Sequence, residues 1–229
     1  VNEMFTVVLS HDLRTPLMSI SAAATVLKRQ PDTDRVAVLA DRVLSSSQRM
    51  GRMIEDLLDV TRIRHAGGLA LQLGRADMQS IVQRTLDEVQ TSFPDRNIES
   101  VLQGDMAGVW DSERLCQVAT NIVGNAIHHG APDQPVRVAV DGTQASVVTV
   151  AVSNGGTIAP ELLPHLFDPF RGRDRAPGRH QGLGLGLFIA HQVVRAHGGR
   201  IDVHSQDGTT RFVVELPRVS PAAEKWSNT

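Results

Sequence analysis

The segment His11-Asp12-Leu13-Arg14-Thr15-Pro16-Leu17 sets an imidazole beside a carboxylate, with a hydroxyl one helical turn further on. A nucleophilic nitrogen needs a neighbour that orients the ring or takes its proton, and Asp12 supplies that group. Thr15 follows His11 by four residues and so shares its helical face. Pro16 sits where the helical pattern continues on both sides, at a cost of about 3 kcal/mol relative to alanine. Such a residue often bends a helix beside a working group. Any one of the nine histidines reads by default as an inert surface residue, and it is the neighbours that single out His11.

Two further constellations suit phosphate. In Asn121-Ile122-Val123-Gly124-Asn125-Ala126-Ile127-His128-His129-Gly130, steps of four and three put Asn121, Asn125 and His128 on one helical face. Amide oxygens suit Mg²⁺, which keeps waters and bridges to substrate phosphates, although two helical asparagines also satisfy themselves with solvent. The run Gly182-Leu183-Gly184-Leu185-Gly186-Leu187 opens a helix, and glycines there bring unpaired backbone N–H groups against an anion. Ahead of it, Phe167-Asp168-Pro169-Phe170 leads into Arg171 to Gln181, a stretch rich in Arg, Gly and Pro. That stretch reads as a lid whose arginines meet phosphate, with a solvated loop as the bland alternative. Phe167 and Phe170 read as the anchor of its base.

Periodicity supplies the elements that must hold these groups. Ser10, Leu13, Leu17, Ile20, Ala24 and Leu27 form one heptad seam. After the turn signal Gln30-Pro31-Asp32-Thr33-Asp34, a second seam runs through Val36, Leu39, Val43, Ser46, Met50, Met53, Leu57 and Val60. These predict a helical hairpin over residues 1–67, which buries little apolar area alone and is expected to pair into a four-helix bundle as a homodimer. Residues 68–219 change texture to short strands, Gly-rich turns and single helices. Strands are predicted at Leu69 to Leu73, Ile98 to Leu102, Val136 to Val140, Val147 to Val152, Arg200 to Ser205 and Thr210 to Leu216. Helices are predicted at Met78 to Ser92, Ser112 to His129 and Gly184 to His197. The fold class is α+β, a mixed sheet covered by helices, with 220–229 as a frayed tail.

Composition excludes more than it assigns. The 229 residues carry a net charge of −2, so nothing drives the chain as a whole toward nucleic acid or an anionic membrane. Aromatic content of 3% with no tyrosine leaves few stacking platforms for single strands. One cysteine, Cys116, makes no internal disulfide and fits a reducing compartment. The apolar runs fall short of the roughly 20 residues that span a bilayer. A cytoplasmic segment with no membrane contact of its own is the expectation.

The histidine box resembles, over all seven residues, the phosphoacceptor box His-Glu/Asp-Leu-Arg-Thr-Pro-Leu of two-component sensor histidine kinases. The asparagine run, the phenylalanine pair, the glycine run and Ala196-His197-Gly198-Gly199 follow in that family's order. The later boxes are similar to the Bergerat nucleotide fold, also found in Hsp90-type ATPases, gyrase B and MutL. The resemblance implies a two-layer α/β sandwich and phosphorylation of a ring nitrogen of His11, assisted by Asp12. Thr15 would hold water for the reverse, phosphatase reaction. It implies ATP and Mg²⁺, with Asn125 as the magnesium ligand and Asn121, His128, His129, Phe170, Arg171, Gly182, Leu183, Gly184, Leu185 and Gly186 around the nucleotide. It implies a response-regulator receiver domain as partner. Because His11 lies so near residue 1, an upstream sensor or signalling helix is expected before it.

The departures fall at two places. Where the family carries lysine and then an aromatic, this chain has His128 and His129, so a phosphate contact there becomes pH-sensitive. The family's first glycine box, Asp-x-Gly-x-Gly, reads here Val152-Ser153-Asn154-Gly155-Gly156-Thr157. Strand alternation puts Asn154 in the aspartate's place, while counting back from Ile158-Ala159-Pro160-Glu161 without a gap puts Ser153 there. Alternation fixes side-chain direction and loops tolerate deletion, which favours Asn154 with Gly156 beside the nucleotide. The amide oxygen of Asn154 accepts the hydrogen bond the family's aspartate takes from adenine. A weakly ATP-binding or phosphatase-biased signalling scaffold is the competing reading, and it rests on this degenerate box.

Overall fold

A computed structural model describes the backbone of residues 2–29, 33–65, 69–170 and 183–219, and the side chains of 13–27, 36–64, 69–170 and 183–219. Helix α1 (Asn2–Arg29) and helix α2 (Thr33–His65) pack along one another. Ala23, Met53 and Val60 are buried between neighbours, with Leu13, Ile20, Leu27, Leu39, Val43 and Met50 half-buried. Leu17 and Ala24, placed in the seam by their spacing, are exposed instead, and Pro16 takes a buried position inside α1. A two-helix unit has one inward stripe, so the other seam positions turn outward. The expected turn at Gln30 to Asp32 and the expected boundary at residue 67 lie outside the described residues, whereas Thr33 and Asp34 already belong to α2.

The rest of the chain runs β1 (Gly74–Asp77), α3 (Met78–Ser92), β2 (Ile98–Gly104), β3 (Ala107–Trp110), α4 (Ser112–His129), β4 (Val136–Gly142), β5 (Val147–Gly155), α5 (Gly186–Ala196), β6 (Arg200–Gln206) and β7 (Thr209–Pro217). Asp77 and Asp111 start α3 and α4 as N-caps, accepting from the N–H groups of Ser80 and Arg114. The predicted limits of both helices are therefore the observed ones. The strand expected at Leu69 to Leu73 is irregular; the strand is Gly74–Asp77, and it pairs with β3, which alternation did not reveal. The two are short and held by their tertiary setting, since β1 runs directly into α3.

The main sheet has the order β2-β4-β5-β7-β6, with β2 parallel to β4 and the other pairs antiparallel. Helices α3, α4 and α5 cover one face. Along β4, Val136, Val138 and Val140 turn into that layer while Arg137 and Ala139 turn away. Trp110 and Phe212 are fully buried there, and the Trp110 Nε1–H donates to the Pro217 carbonyl at 2.7 Å. The predicted mixed α+β sandwich with a helical hairpin before it is thus the observed architecture.

The hairpin and the α/β layer touch through α2. Met53 and Val60 join the same apolar cluster as the layer's core. Asp59, with its side chain 3% exposed, accepts from Arg114 Nη1 at 2.6 Å and Gln117 Nε2 at 3.0 Å. Next to it, burial pushes the Asp56 carboxyl up to about 6, helped by the charges of Asp59 and Glu55. Among the described residues no helix is long and apolar enough to cross a membrane.

Candidate functional site

His11 and Asp12 lie in α1, their side chains outside the described residues, and Thr15 follows on the same helix with an exposed side chain. The candidate nucleotide site is built elsewhere, from α4, the end of β5 and the start of α5.

The asparagine face of α4 meets α5 at its first residue. A Cβ on Gly186 would lie 2.8 Å from Asn121 Oδ1, so glycine is what lets α5 begin this close. Asn121 Nδ2 is buried and has no hydrogen-bond partner among the described residues. A buried donor without a protein partner is what a ligand oxygen would satisfy. Asn125 is half-buried one turn along. His128 departs from that picture: its ring packs edge-on against Phe93, with centroids 5.3 Å apart. Burial and then the Arg96 charge push it below the usual imidazole range. His129 is exposed beside it.

Asn154 is the next-to-last residue of β5 and turns inward with Val148 and Val152, whereas Ser153 turns toward the open face between Arg137 and Arg211. It is 6% exposed. Its Nδ2 donates to the Gly155 carbonyl at 2.9 Å. Its Cβ lies 3.1 Å from where a Cβ on Gly130 would stand, so the end of α4 closes over it. Gly156 has φ +107 and bends the chain away from the strand.

Hydroxyl groups that sequence reasoning missed hold this bend. Thr210, opposite Asn154 on β7, donates from Oγ1 to the Gly156 carbonyl at 2.8 Å. Ser205 Oγ lies 2.8 Å from Thr210 Oγ1 and accepts from the Ile158 N–H at 2.7 Å. With Thr210 donating to Gly156, the Ser205 proton points to Thr210, and each hydroxyl is used once as donor and once as acceptor. Only their place beside a strand-end asparagine marks these residues, and that place is visible in the register alone.

The stretch from Arg171 through Gly182 lies outside the described residues, but both of its ends are fixed. Phe170, at φ 65, donates its N–H to the Gly184 carbonyl at 3.1 Å, and Gly184 has φ 68. Phe167 stacks on His191 of α5 with centroids 5.0 Å apart, and burial, then Arg195, pushes His191 down. Leu183 and Leu185 are buried in the core, which leaves only their backbone to face an anion. The arrangement thus offers amide side chains on one helix, backbone N–H groups at the start of another, and a neutral acceptor at a strand end. Hard oxygen donors such as Asn125 Oδ1 together with phosphate oxygens suit Mg²⁺.

This is a nucleotide-binding α/β layer joined to a histidine-bearing hairpin, and comparison with known proteins gives the family. Residues 110–220 match the Histidine kinase-, DNA gyrase B-, and HSP90-like ATPase family, and residues 2–66 match the His Kinase A (phospho-acceptor) domain. The chain belongs to the sensor histidine kinases as a catalytic core. It is 35% identical over 211 residues to a bacteriophytochrome of Pseudomonas aeruginosa, covering 92% of this chain and 29% of that protein. It is 34% identical to the probable sensor histidine kinase TcrY of Mycobacterium tuberculosis, covering 91% of this chain and 44% of that protein. The chain therefore spans less than half the length of these two relatives. Histidine kinase ThkA, solved in complex with the response regulator protein TrrA, shares the fold with a TM-score of 0.65 at 20% identity, covering 94% of this chain and 61% of that one.

Proposed function

We propose that this chain is the phosphotransfer core of its protein: it binds ATP between α4, the end of β5 and the lid, phosphorylates His11, and passes the group to an aspartate of a response regulator. The observation that carries the reading is the open, buried Asn121 Nδ2 beside Gly186, on a chain whose first helix holds a complete histidine box. A ring nitrogen of His11 attacks the γ-phosphorus, the N–P bond forms as the P–O bond to the β,γ-bridging oxygen breaks, and ADP leaves. Asp12 orients the imidazole and takes up its proton. Mg²⁺, held by Asn125, supplies charge neutralisation on the phosphates. Asn121 and the N–H groups from Gly184 to Gly186 position the phosphate chain, while Asn154 and Gly156 meet the base. Positioning is the larger part of the catalysis.

In this reading 1–67 is the dimerisation and phosphoacceptor hairpin and 68–219 the catalytic part. The exposed apolar side chains of the hairpin, Leu17 at 51%, Met18 at 58%, Leu44 at 57% and Ile54 at 48%, support a second copy packing there. ThkA's complex with TrrA supports the receiver partner. Thr15, exposed on α1, suits the positioning of water in the reverse reaction. The test is incubation with γ-labelled ATP and Mg²⁺. Wild type takes up acid-labile, alkali-stable label, His11→Ala takes up none, and Asn125→Ala loses label while staying dimeric. A folded wild-type protein that binds ATP and never labels overturns the kinase reading and favours the phosphatase-biased scaffold, to which Asn154 in the aspartate's place gives support.

A further inference from the structure

We propose that the backbone at the end of β5 requires an amide, not a carboxylate, at position 154, and that Asn154 thereby becomes a neutral, one-sided reader of the nucleobase. The inference rests on the ATP reading for its ligand, and on the apo structure alone for the amide requirement. The Gly155 carbonyl points back at the 154 side chain and accepts Nδ2–H at 2.9 Å. It also accepts the Ala131 N–H at 3.0 Å, and β5 is paired through Gly155 to Thr209. Gln134 packs over the Gly155 Cα, where a Cβ would collide with its side chain. The carbonyl is thus held from three sides and does not swing away. A carboxylate at 154 would set a charged oxygen against that carbonyl oxygen, so position 154 must donate.

The same bond fixes what faces the ligand. With Nδ2 engaged on Gly155, Oδ1 is the atom left over, and it takes no donor from the described residues. A lone acceptor in a buried position selects a purine that offers an amino donor and disfavours one that offers a keto oxygen. At the purine 6-position adenine has the amino group, whereas hypoxanthine and guanine carry the oxygen. The departure from the aspartate pattern is then a local solution to a backbone that presents its carbonyl.

Two measurements test this. In the absence of nucleotide, thermal unfolding of Asn154→Asp is compared with wild type from about pH 5 to about pH 8. The aspartate must keep a proton to donate to Gly155, so its folded pKa is raised. Its stability is full below the unfolded value, about 4, and is lost as pH rises through the folded one. The difference from wild type should grow to roughly 3–6 °C at the alkaline end. Thr210 and Gly130, which face the position from β7 and α4, do not titrate, and His129 is present in both proteins, so its contribution cancels. Asn154→Ala should show a constant offset. By calorimetry, wild type should favour ATP over inosine triphosphate roughly tenfold, a ratio that falls toward one in Asn154→Ala. Asn154→Asp should bind ATP more weakly than wild type at neutral pH. A tighter-binding Asn154→Asp, or one as stable as wild type across the range, overturns the proposal. If wild type binds neither nucleotide, the ATP reading falls while the unfolding series still decides the amide requirement.

Discussion

His197 offers the sharpest test of how the α/β layer is held together. Its side chain is fully buried, Nδ1–H donates to the Val193 carbonyl at 2.9 Å, and Nε2 accepts the Asp111 N–H at 3.0 Å. These two bonds fix a neutral tautomer and tie the end of α5 to the residue that caps α4. Asp111 also receives the Gln72 N–H at 2.8 Å, so one buried imidazole supports three segments. His197→Ala removes a packed ring, worth about 2–4 kcal/mol by analogy with other large-to-small core changes. It also orphans a buried N–H at about 1–3 kcal/mol. A loss of roughly 3–7 kcal/mol follows, a large share of a typical domain's stability. His197→Phe refills the space and keeps only the orphaned donor, so it should cost about 1–3 kcal/mol in urea unfolding at neutral pH. The pH dependence is a second readout. Burial is the main cause that pushes His197 below the usual imidazole range, outweighing the Val193 bond and the Asp111 charge. A depressed folded pKa means the unfolded chain binds more protons, so stability is complete above the unfolded value of about 6.5 and falls as pH drops below it. His128 and His191 shift in the same direction and remain in the variant, so His197→Phe should flatten the acid slope without abolishing it. A Phe variant within about 0.5 kcal/mol of wild type, or one whose stability falls on acidification as steeply as that of wild type, would refute this account.

The link between hairpin and α/β layer and the meeting of α4 with α5 give two further predictions. A double-mutant cycle on Asp59→Ala and Arg114→Ala should show coupling of about 1–3 kcal/mol, because Asp59 is 3% exposed and Arg114 22%. Coupling below about 0.5 kcal/mol would mean that the α2 contact is incidental. Gly186→Ala should leave the melting temperature nearly unchanged, since better helix propensity offsets the crowding by up to about 1 kcal/mol. Its Cβ, 2.8 Å from Asn121 Oδ1, should nonetheless weaken ATP binding roughly tenfold in calorimetry; unaltered binding would remove Asn121 from the site.

What was legible in the sequence had a local cause. The limits of α3 and α4 follow from Asp77 and Asp111, cap residues placed just before amphipathic periods. Asn154 was found by alternation along β5, which sends Val148, Val152 and Asn154 to one face. The misses had tertiary causes. Leu69 to Leu73 alternates but finds no partner strand, while Gly74–Asp77 has little alternation and pairs because α3 and β3 bring it there. Leu17 fits a heptad yet faces outward, since a seam read from one helix does not say which partner fills it. Thr210, Ser205 and the Asp59–Arg114 pair have no sequence pattern, because each depends on elements far apart in the chain.

The groups that shape the first glycine loop share one property. Asn154, Thr210, Ser205 and the carbonyls of Gly155 and Gly156 are all neutral and hydrogen-bonded to one another or to backbone. None of them titrates in the range where the protein folds, so the loop proposed to meet the base keeps its shape as pH changes. Acid sensitivity enters instead through His197, which joins α4 and α5 away from that loop, and through His128 and His191, which also lie outside it. His128 and the nearest buried ion pair stand away from that loop as well, with His128 turned against Phe93 and the Asp59–Arg114 pair at the far end of α4. Mild acidification should therefore shift the melting temperature before it alters the ratio of ATP to inosine triphosphate affinity. A ratio that moves first would place a titrating group at the base, and Asn154 would no longer be its sole reader.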